Sequence, residues 1–327
     1  MLHVIKQITA GMLFAILCTA GAALAENGAS AYPNGRINII IPSGAGGTTD
    51  VLARIIGKAL SSAWGVPVVV VDEPGAGGII GASHAVKTKP DGQTLLVVPS
   101  AFGVTSAIRT DLPYDPLRDF GGVALVANAP SLLAVSPSLN VHSVKELITY
   151  AKSRKEPITF ASPGVGSTAQ LHGALFAKQA GFKVLHVPYH STPAGVTAVV
   201  AGRVDYVFAQ GTNVLPLAKE GKLVILASDA PARPWFLPNK PTIRELGYPG
   251  VDGDWFGVLV PAKTSPDIRA KLSAEIARIL KMPEIKDRFR KLGVEPAYLD
   301  PKQFDSMLHD YVGRIHKLAD QIGLKPM

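Results

Sequence analysis

The 327-residue sequence contains a single cysteine, Cys18, and it falls inside an apolar leader. Once that leader is removed, no thiol is left for a disulfide, a metal or nucleophilic chemistry. Lys and Arg are scattered, and no block of five or six like charges occurs, which argues against a nucleic-acid footprint despite a formal charge of +8. Beyond the leader there is no apolar run of membrane-spanning length. Several signatures are also missing. There is no G-x-x-x-x-G-K-[ST] phosphate loop and no G-x-S-x-G nucleophile elbow. Gly75 and Gly77 begin a dinucleotide-like pattern, but the position that needs the third glycine is Ile80. His186 and His190 are four residues apart, yet Pro188 between them denies the helix that would aim both rings at a metal. No metal site and no cofactor are implied.

What remains is 47% hydrophobic and 18% charged, the balance of a folded protein with a large core. The length suits two domains of ordinary size. At the start, Lys6 supplies a modestly basic n-region and Gly11 to Ala22 an apolar h-region. Ala23-Leu24-Ala25 is an A-x-A site, so residues 1–25 are expected to be an export signal cut after Ala25, before Glu26. Bulky Leu17 ahead of Cys18 disfavours lipidation there. The expected product is exported and soluble.

The chain is organised around Ile37 to Arg54. Ile37 to Ile41 reads as a buried parallel strand ended by Pro42, which has no N–H to offer a ladder. Ser43-Gly44-Ala45-Gly46-Gly47 is a glycine-rich turn, and Thr48-Thr49-Asp50 starts a helix. Backbone N–H groups at such a turn face outward at the positive end of a helix dipole, where a carboxylate or phosphate is favoured. The same logic recurs at Ile158 to Ala161, Ser162-Pro163-Gly164-Val165-Gly166 and Ser167-Thr168. Between and after these units lie expected strands at Val66–Val71, Thr94–Pro99, Gly122–Asn128, Ser131–Val135, Val184–Val187, Val204–Phe208, Leu223–Ala227 and Phe256–Val260. Helices are expected near Gly81–Lys87, Ser143–Arg154, Pro193–Gly202 and Asn213–Lys219, and two more start at Ser265-Pro266 and Asp300-Pro301.

Alternating strands and helices predict an α/β fold with parallel-rich sheets flanked by helices. About ten strands exceed one compact sheet, so two lobes are expected. The final helices, with no strands of their own, return to the first lobe. Domain 1 is then discontinuous, residues 26–130 plus 252–327, and domain 2 covers residues 131–251. Ligands in such folds sit at the carboxyl ends of strands, which puts Ser43–Asp50 and Ser162–Thr168 on opposite walls of one cleft.

In order, the phrases IPSGAGGTTDVLAR, PVVVVDEPGAGGIIGA, KPDGQTLLVV, LPYDPLRDF, SVKELITYAK, ASPGVGSTAQL, HVPYH, GRVDYVF and PTIRELGYPG span nearly the whole chain after the leader. Together they resemble the extracytoplasmic solute receptors of tripartite tricarboxylate transporters, the Bug-type periplasmic binding proteins. The resemblance implies a type II, Venus flytrap-like periplasmic-binding-protein fold. It also implies a monomeric receptor, not an enzyme, that delivers a small carboxylated solute (a di- or tricarboxylate, an aromatic acid or an amino acid) to membrane transporter subunits. By matching motif, the first wall is Ser43, Gly44, Ala45, Gly46, Gly47, Thr48 and Asp50, with Ser100 at the cleft floor. The second wall is Ala161, Ser162, Gly164, Gly166, Ser167 and Thr168, joined by Pro188 and Tyr189. Asp205 is implied as partner for a ligand ammonium or hydroxyl, with a structural cap as its alternative.

The sequence departs from the family at three places. Ser43 stands where an aromatic is usual, Asp72-Glu73 where Asn and a basic residue are usual, and His190-Ser191 where Lys-Gly is usual. Two other readings compete with the transport receptor: a hydrolase using Ser162 or Ser167 with His186 or His190 and Asp205, and an orphan receptor acting as a carboxylate sensor.

Overall fold

Successive residues of the first strand enter different cores. Ile37, Ile39 and Ile41 pack on one face of their sheet and Ile40 on the other, which is the two-residue alternation of an extended chain with both faces covered. The computed structural model describes residues 32–248 and 253–322; the expected export signal lies outside them, as does the expected 251/252 domain boundary. The chain runs β1 (Ile37–Ile41), α1 (Thr48–Trp64), β2 (Val68–Asp72), a 3-10 turn at Ala76–Gly78, α2 (Ile79–Lys87), β3 (Thr94–Pro99), α3 (Ala101–Ile108) and β4 (Phe120–Ala129). It continues through β5 (Ser131–Val135), α4 (Val144–Ser153), β6 (Ile158–Ser162), α5 (Thr168–Ala180), β7 (Val184–Pro188), α6 (Thr192–Val200), β8 (Tyr206–Gln210), α7 (Gly211–Lys219) and β9 (Val224–Ser228). It ends with β10 (Asp254–Pro261), α8 (Pro266–Lys281), α9 (Pro283–Lys291), β11 (Glu295–Leu299) and α10 (Pro301–Ile322).

These strands form two sheets. The first has six strands in the order β11-β4-β10-β3-β1-β2, and the second has five in the order β7-β6-β8-β5-β9. Only Pro130 separates β4 in the first from β5 in the second. Both sheets are mixed, not parallel-rich as expected. Among the described residues, two of five strand pairs are parallel in the first (β1 with β2 and with β3) and two of four in the second (β6 with β7 and with β8). β10 runs antiparallel to β3 and to β4, β11 antiparallel to β4, and β5 antiparallel to β8 and to β9. β11 also corrects the expectation that the last helices bring no strand with them. The polar, proline-containing sequence EPAYL forms an edge strand, where missing ladder donors are tolerated.

Each sheet is covered on both faces. One face of the first sheet packs Leu52, Ile56 and Leu60 of α1 with Leu272 and Ile276 of α8 and Phe289 of α9. Its other face meets α2, α3 and α10, and this core also takes Leu171 and Leu175 from α5 beside the second sheet. α10 therefore grips both halves of the molecule through Phe304, Leu308, Tyr311 and Ile315. Each such ring or branched side chain, fully buried, contributes about 1.5–3 kcal/mol. The Phe304 ring lies so close over Gly257 of β10 that a Cβ at that position would overlap it. The second sheet carries α4 and α5 on one face and α6 and α7 on the other.

Helix ends follow from local chemistry. Ser143 Oγ accepts from the Glu146 N–H at 3.1 Å, and the Glu146 carboxylate accepts from the His142 N–H at 2.7 Å, a reciprocal cap whose second bond falls on the residue before the N-cap. α5 ends at Gly181, whose φ of 71° is the left-handed geometry that glycine adopts without strain.

Candidate ligand-binding site

Three glycine-rich turns and two strand ends converge on a cavity of about 340 Å³. The β1–α1 turn contributes Ser43, Gly44, Ala45, Gly47 and Thr48. The β6–α5 turn faces it with Gly166, Ser167 and Thr168. Eight of the residues named from sequence thus share one cavity, and they come from both sheets.

The two walls differ in how their backbone donors are used. No side chain caps α1 at Gly47, and among the described residues no hydrogen bond ties up the N–H groups of Thr48 and Thr49. Asp50 reaches back, its Oδ2 accepting from the Gly46 N–H at 2.9 Å, while Arg54 pairs with it at 2.5 Å. On the opposite wall Ser167 is the N-cap of α5. Its hydroxyl donates to the Gly164 carbonyl at 2.7 Å and accepts from the Gln170 N–H at 3.2 Å. Gln170 Oε1 in turn accepts from the Gly166 N–H at 2.9 Å. The first wall therefore offers free amide donors, and the second is a rigid, self-capped turn.

The remaining sequence-named residues lie behind the cavity or away from it. Gly46 and Asp50 hold the first turn in shape. Ser100 sits beneath the floor, its hydroxyl donating to Asp254 Oδ1 at 2.5 Å and lying 3.0 Å from Thr168 Oγ1. Ala161 is part of the apolar core under α6. Pro188 ends β7, and Tyr189 packs into the same core, its N–H donating to the Ser162 carbonyl at 2.8 Å. Gly164 supplies the carbonyl that orients Ser167. Asp205 has to be corrected. Its Oδ2 accepts from the Thr159 N–H at 2.6 Å and the Thr159 hydroxyl at 2.7 Å, tying the start of β6 to the residue before β8. β8 runs parallel to β6, so Asp205 is at the opposite end of the sheet from the glycine turns. It is a structural clasp and not a ligand contact.

Ser162 and His186 do meet, at 2.6 Å between Oγ and Nε2. Ser162 is 1% exposed and absent from the cavity wall. His186 stacks on Phe160 with ring centroids 4.9 Å apart, and burial holds its imidazole below the ordinary histidine range. With its hydroxyl also bonded to Gly164, Ser162 has no approach to a substrate.

Several cavity residues carried no recognised signal in the sequence. The Gly75–Gly78 turn, whose dinucleotide-like pattern fails at Ile80, presses against Pro42 and Ile80 and also forms part of the wall. α3 brings Phe102 and Thr105, and the loop after it Tyr114, whose hydroxyl burial pushes up to about 12. β8 and β10 end at the cavity with Gln210 and Asp254, and α7 adds Asn213. Residues at strand ends beside the glycine turns could have been found from the sheet topology. No Lys or Arg lines the cavity among the described residues.

The sequence profile described as "Tripartite tricarboxylate transporter family receptor" matches residues 52–324. The chain belongs to this family. Protein BugT of Bordetella pertussis is 33% identical over 312 residues, covering 94% of this chain and 95% of that relative. Among solved structures, an R. palustris protein with adipate superposes with a TM-score of 0.85 at 31% identity, covering 89% of this chain and 98% of its own. MatC from Rhodopseudomonas palustris with bound malate gives 0.80 at 29% identity, over 88% and 99%. The chain shares with them its α/β fold of two helix-flanked sheets. In this family member both facing glycine turns are present, and the cavity lies between them.

Proposed function

We propose that this chain is a periplasmic receptor that closes two lobes on a small carboxylate and delivers it to a tripartite tricarboxylate-type membrane transporter. The observation that carries the reading is the shared cavity. Free N–H groups at the start of α1 face the rigid Gly166–Thr168 turn across a space sized for a small solute. Hydroxyl and amide donors hold a carboxylate without a permanent ion pair, which suits a cargo that must be released. On this reading residues 26–130 with 252–327 form one lobe and residues 131–251 the other, a division supported by the change of sheet between β4 and β5 at Pro130 and between β9 and β10. The family role and the adipate and malate on the structural relatives support this reading. The buried Ser162–His186 pair supports binding without turnover.

Thermal shift against mono-, di- and tricarboxylates, aromatic acids and amino acids tests the proposal. At least one acid raises the melting temperature in proportion to RT ln(1 + [L]/Kd), and the acid is recovered unchanged. Conversion of the stabilising acid to a product would overturn the receptor reading.

A further inference from the structure

Asp254 is the first residue of β10. It is 3% exposed and still contributes to the cavity wall. Its Oδ1 accepts from the Ser100 hydroxyl at 2.5 Å, and its Oδ2 accepts from the Ser131 hydroxyl at 2.7 Å and Gln210 Nε2 at 2.6 Å. All three donors are neutral. A carboxylate offers about four acceptor positions, so about one, on Oδ1, is left. Among the described residues no Lys or Arg lines the cavity, and Arg314 sits over the Tyr311 ring at 5.5 Å and not in the cavity wall. His172 belongs to the same buried network, but its Nδ1 lies 3.1 Å from Asp229 Oδ2, and Asp229 Oδ1 is taken up by the Ser131 N–H. Tyr311, near Asp254, is held neutral by burial. A buried carboxylate held by neutral donors, at the wall of a cavity without a basic side chain, is costly unless something brings the opposite charge.

We infer that Asp254 is the recognition site for a ligand ammonium group. The solute is then a zwitterion, an acid whose amine lies close to its carboxylate. This deepens the proposed function and rests on the cavity being the solute site. The geometry supports the pairing. Ser100 Oγ touches both Asp254 Oδ1 and Thr168 Oγ1, so Asp254 lies within two hydrogen bonds of the second turn, and it lines the same cavity as Thr48 and Thr49, whose N–H groups are free. An α-amino acid whose carboxylate takes those N–H groups has its ammonium in the same cavity as Asp254. Phe102, Phe208 and Phe256 also line the cavity, and aromatic faces attract a cation. The second carboxylate of a plain diacid placed against Asp254 would meet like charge with no cation to relieve it.

Matched pairs of acids that differ only in the amine test this: L-aspartate against succinate, L-glutamate against glutarate and L-phenylalanine against hydrocinnamate, with L-malate added as the hydroxyl control. Titration calorimetry on the full mature chain reads the affinity of each. In at least one pair the amino acid binds about tenfold or more tighter than its amine-free partner, and Asp254→Asn narrows that ratio to below about threefold. Asp254→Glu, which keeps the charge, retains a preference for the amine. The wild-type pairs decide the matter by themselves if the Asn variant does not fold. If amine-free acids bind as tightly or tighter in every pair, or if L-malate outbinds L-aspartate, the ammonium site is wrong while the receptor reading stands. If no acid in these pairs or in the wider panel binds, the receptor reading fails and this inference fails with it.

Discussion

The hydroxyls of Thr48 and Thr212 meet 2.6 Å apart across 164 residues of sequence. Thr48 opens α1 beside the first sheet, and Thr212 lies in the first turn of α7 beside the second. One donates and the other accepts, at the edge of the cavity that both helices approach. Such a bond can form only while the two halves are together. It works alongside the Ser100–Thr168 contact, which also joins a residue of the first half to one of the second.

Thr212→Val keeps the shape of the side chain and removes this bond. A net hydrogen bond is worth about 1 kcal/mol, so bound acid should leave roughly five times faster from the variant, with little change in association. Stopped-flow displacement of the tightest acid from the thermal-shift panel measures both rates. Equal dissociation from the two proteins would mean that the threonine pair does not hold the cleft shut.

Ser167→Ala separates capping from ligand contact. The Ser167 hydroxyl proton is committed to the Gly164 carbonyl and its lone pair to the Gln170 N–H, so it has no donor free for a carboxylate. Losing an N-cap serine costs about 1 kcal/mol, seen in denaturant unfolding as a lower midpoint at unchanged slope. The affinity for acids should fall by less than about tenfold, since only the shape of the turn is disturbed. A larger loss of affinity with unchanged stability would make Ser167 a direct ligand donor.

His186 gives stability a pH dependence. Burial depresses its pKa, so the folded protein binds fewer protons than the unfolded chain near the ordinary value of 6.5. Its contribution is present above that value and is lost as pH falls through the depressed folded value. Melting temperature should therefore decline as the pH is lowered from neutral below 6.5, and His186→Gln should flatten part of that decline. The same slope in both proteins would assign the effect to other groups.

The glycine turns and most strands were legible because β-branched runs ending in Pro or Gly have few other readings, as Ile37–Pro42 shows. α3 was not, since AFGVTSAI is short, uncharged and buried on several sides, leaving no amphipathic stripe to read. The two aspartates are more instructive. Asp205 and Asp254 both stand at the start of an aromatic-containing strand, and nothing local tells them apart. Strand direction does. β8 is parallel to its β6 neighbour, so its amino end points away from the glycine turns. β10 is antiparallel, pairing Phe256 with Pro99, and its amino end comes to the carboxyl end of β3, where Ser100 waits. Antiparallel β5 places Ser131 opposite Gln210 by the same rule. Direction within a mixed sheet is set by distant pairing, which local periodicity does not encode.

Ser43 is where the sequence and the cavity meet most directly. It stands at a position where an aromatic ring is usual in the family that the chain resembles, and it lines the wall with Gly44 and Ala45. Its hydroxyl oxygen is buried with no hydrogen-bond partner in the protein. A small side chain there leaves room that a ring would occupy, in a cavity of only about 340 Å³. Ser43→Phe should therefore discriminate by size. Hydrocinnamate and other aromatic acids should lose about tenfold or more in affinity, while malonate and succinate lose less, because overpacking penalises the ligand that needs the volume. Calorimetry on the two sets measures the contrast. Equal losses for small and bulky acids would show that the volume beside Ser43 does not select the ligand, and that the wall formed by α3 and Tyr114 bounds its size instead.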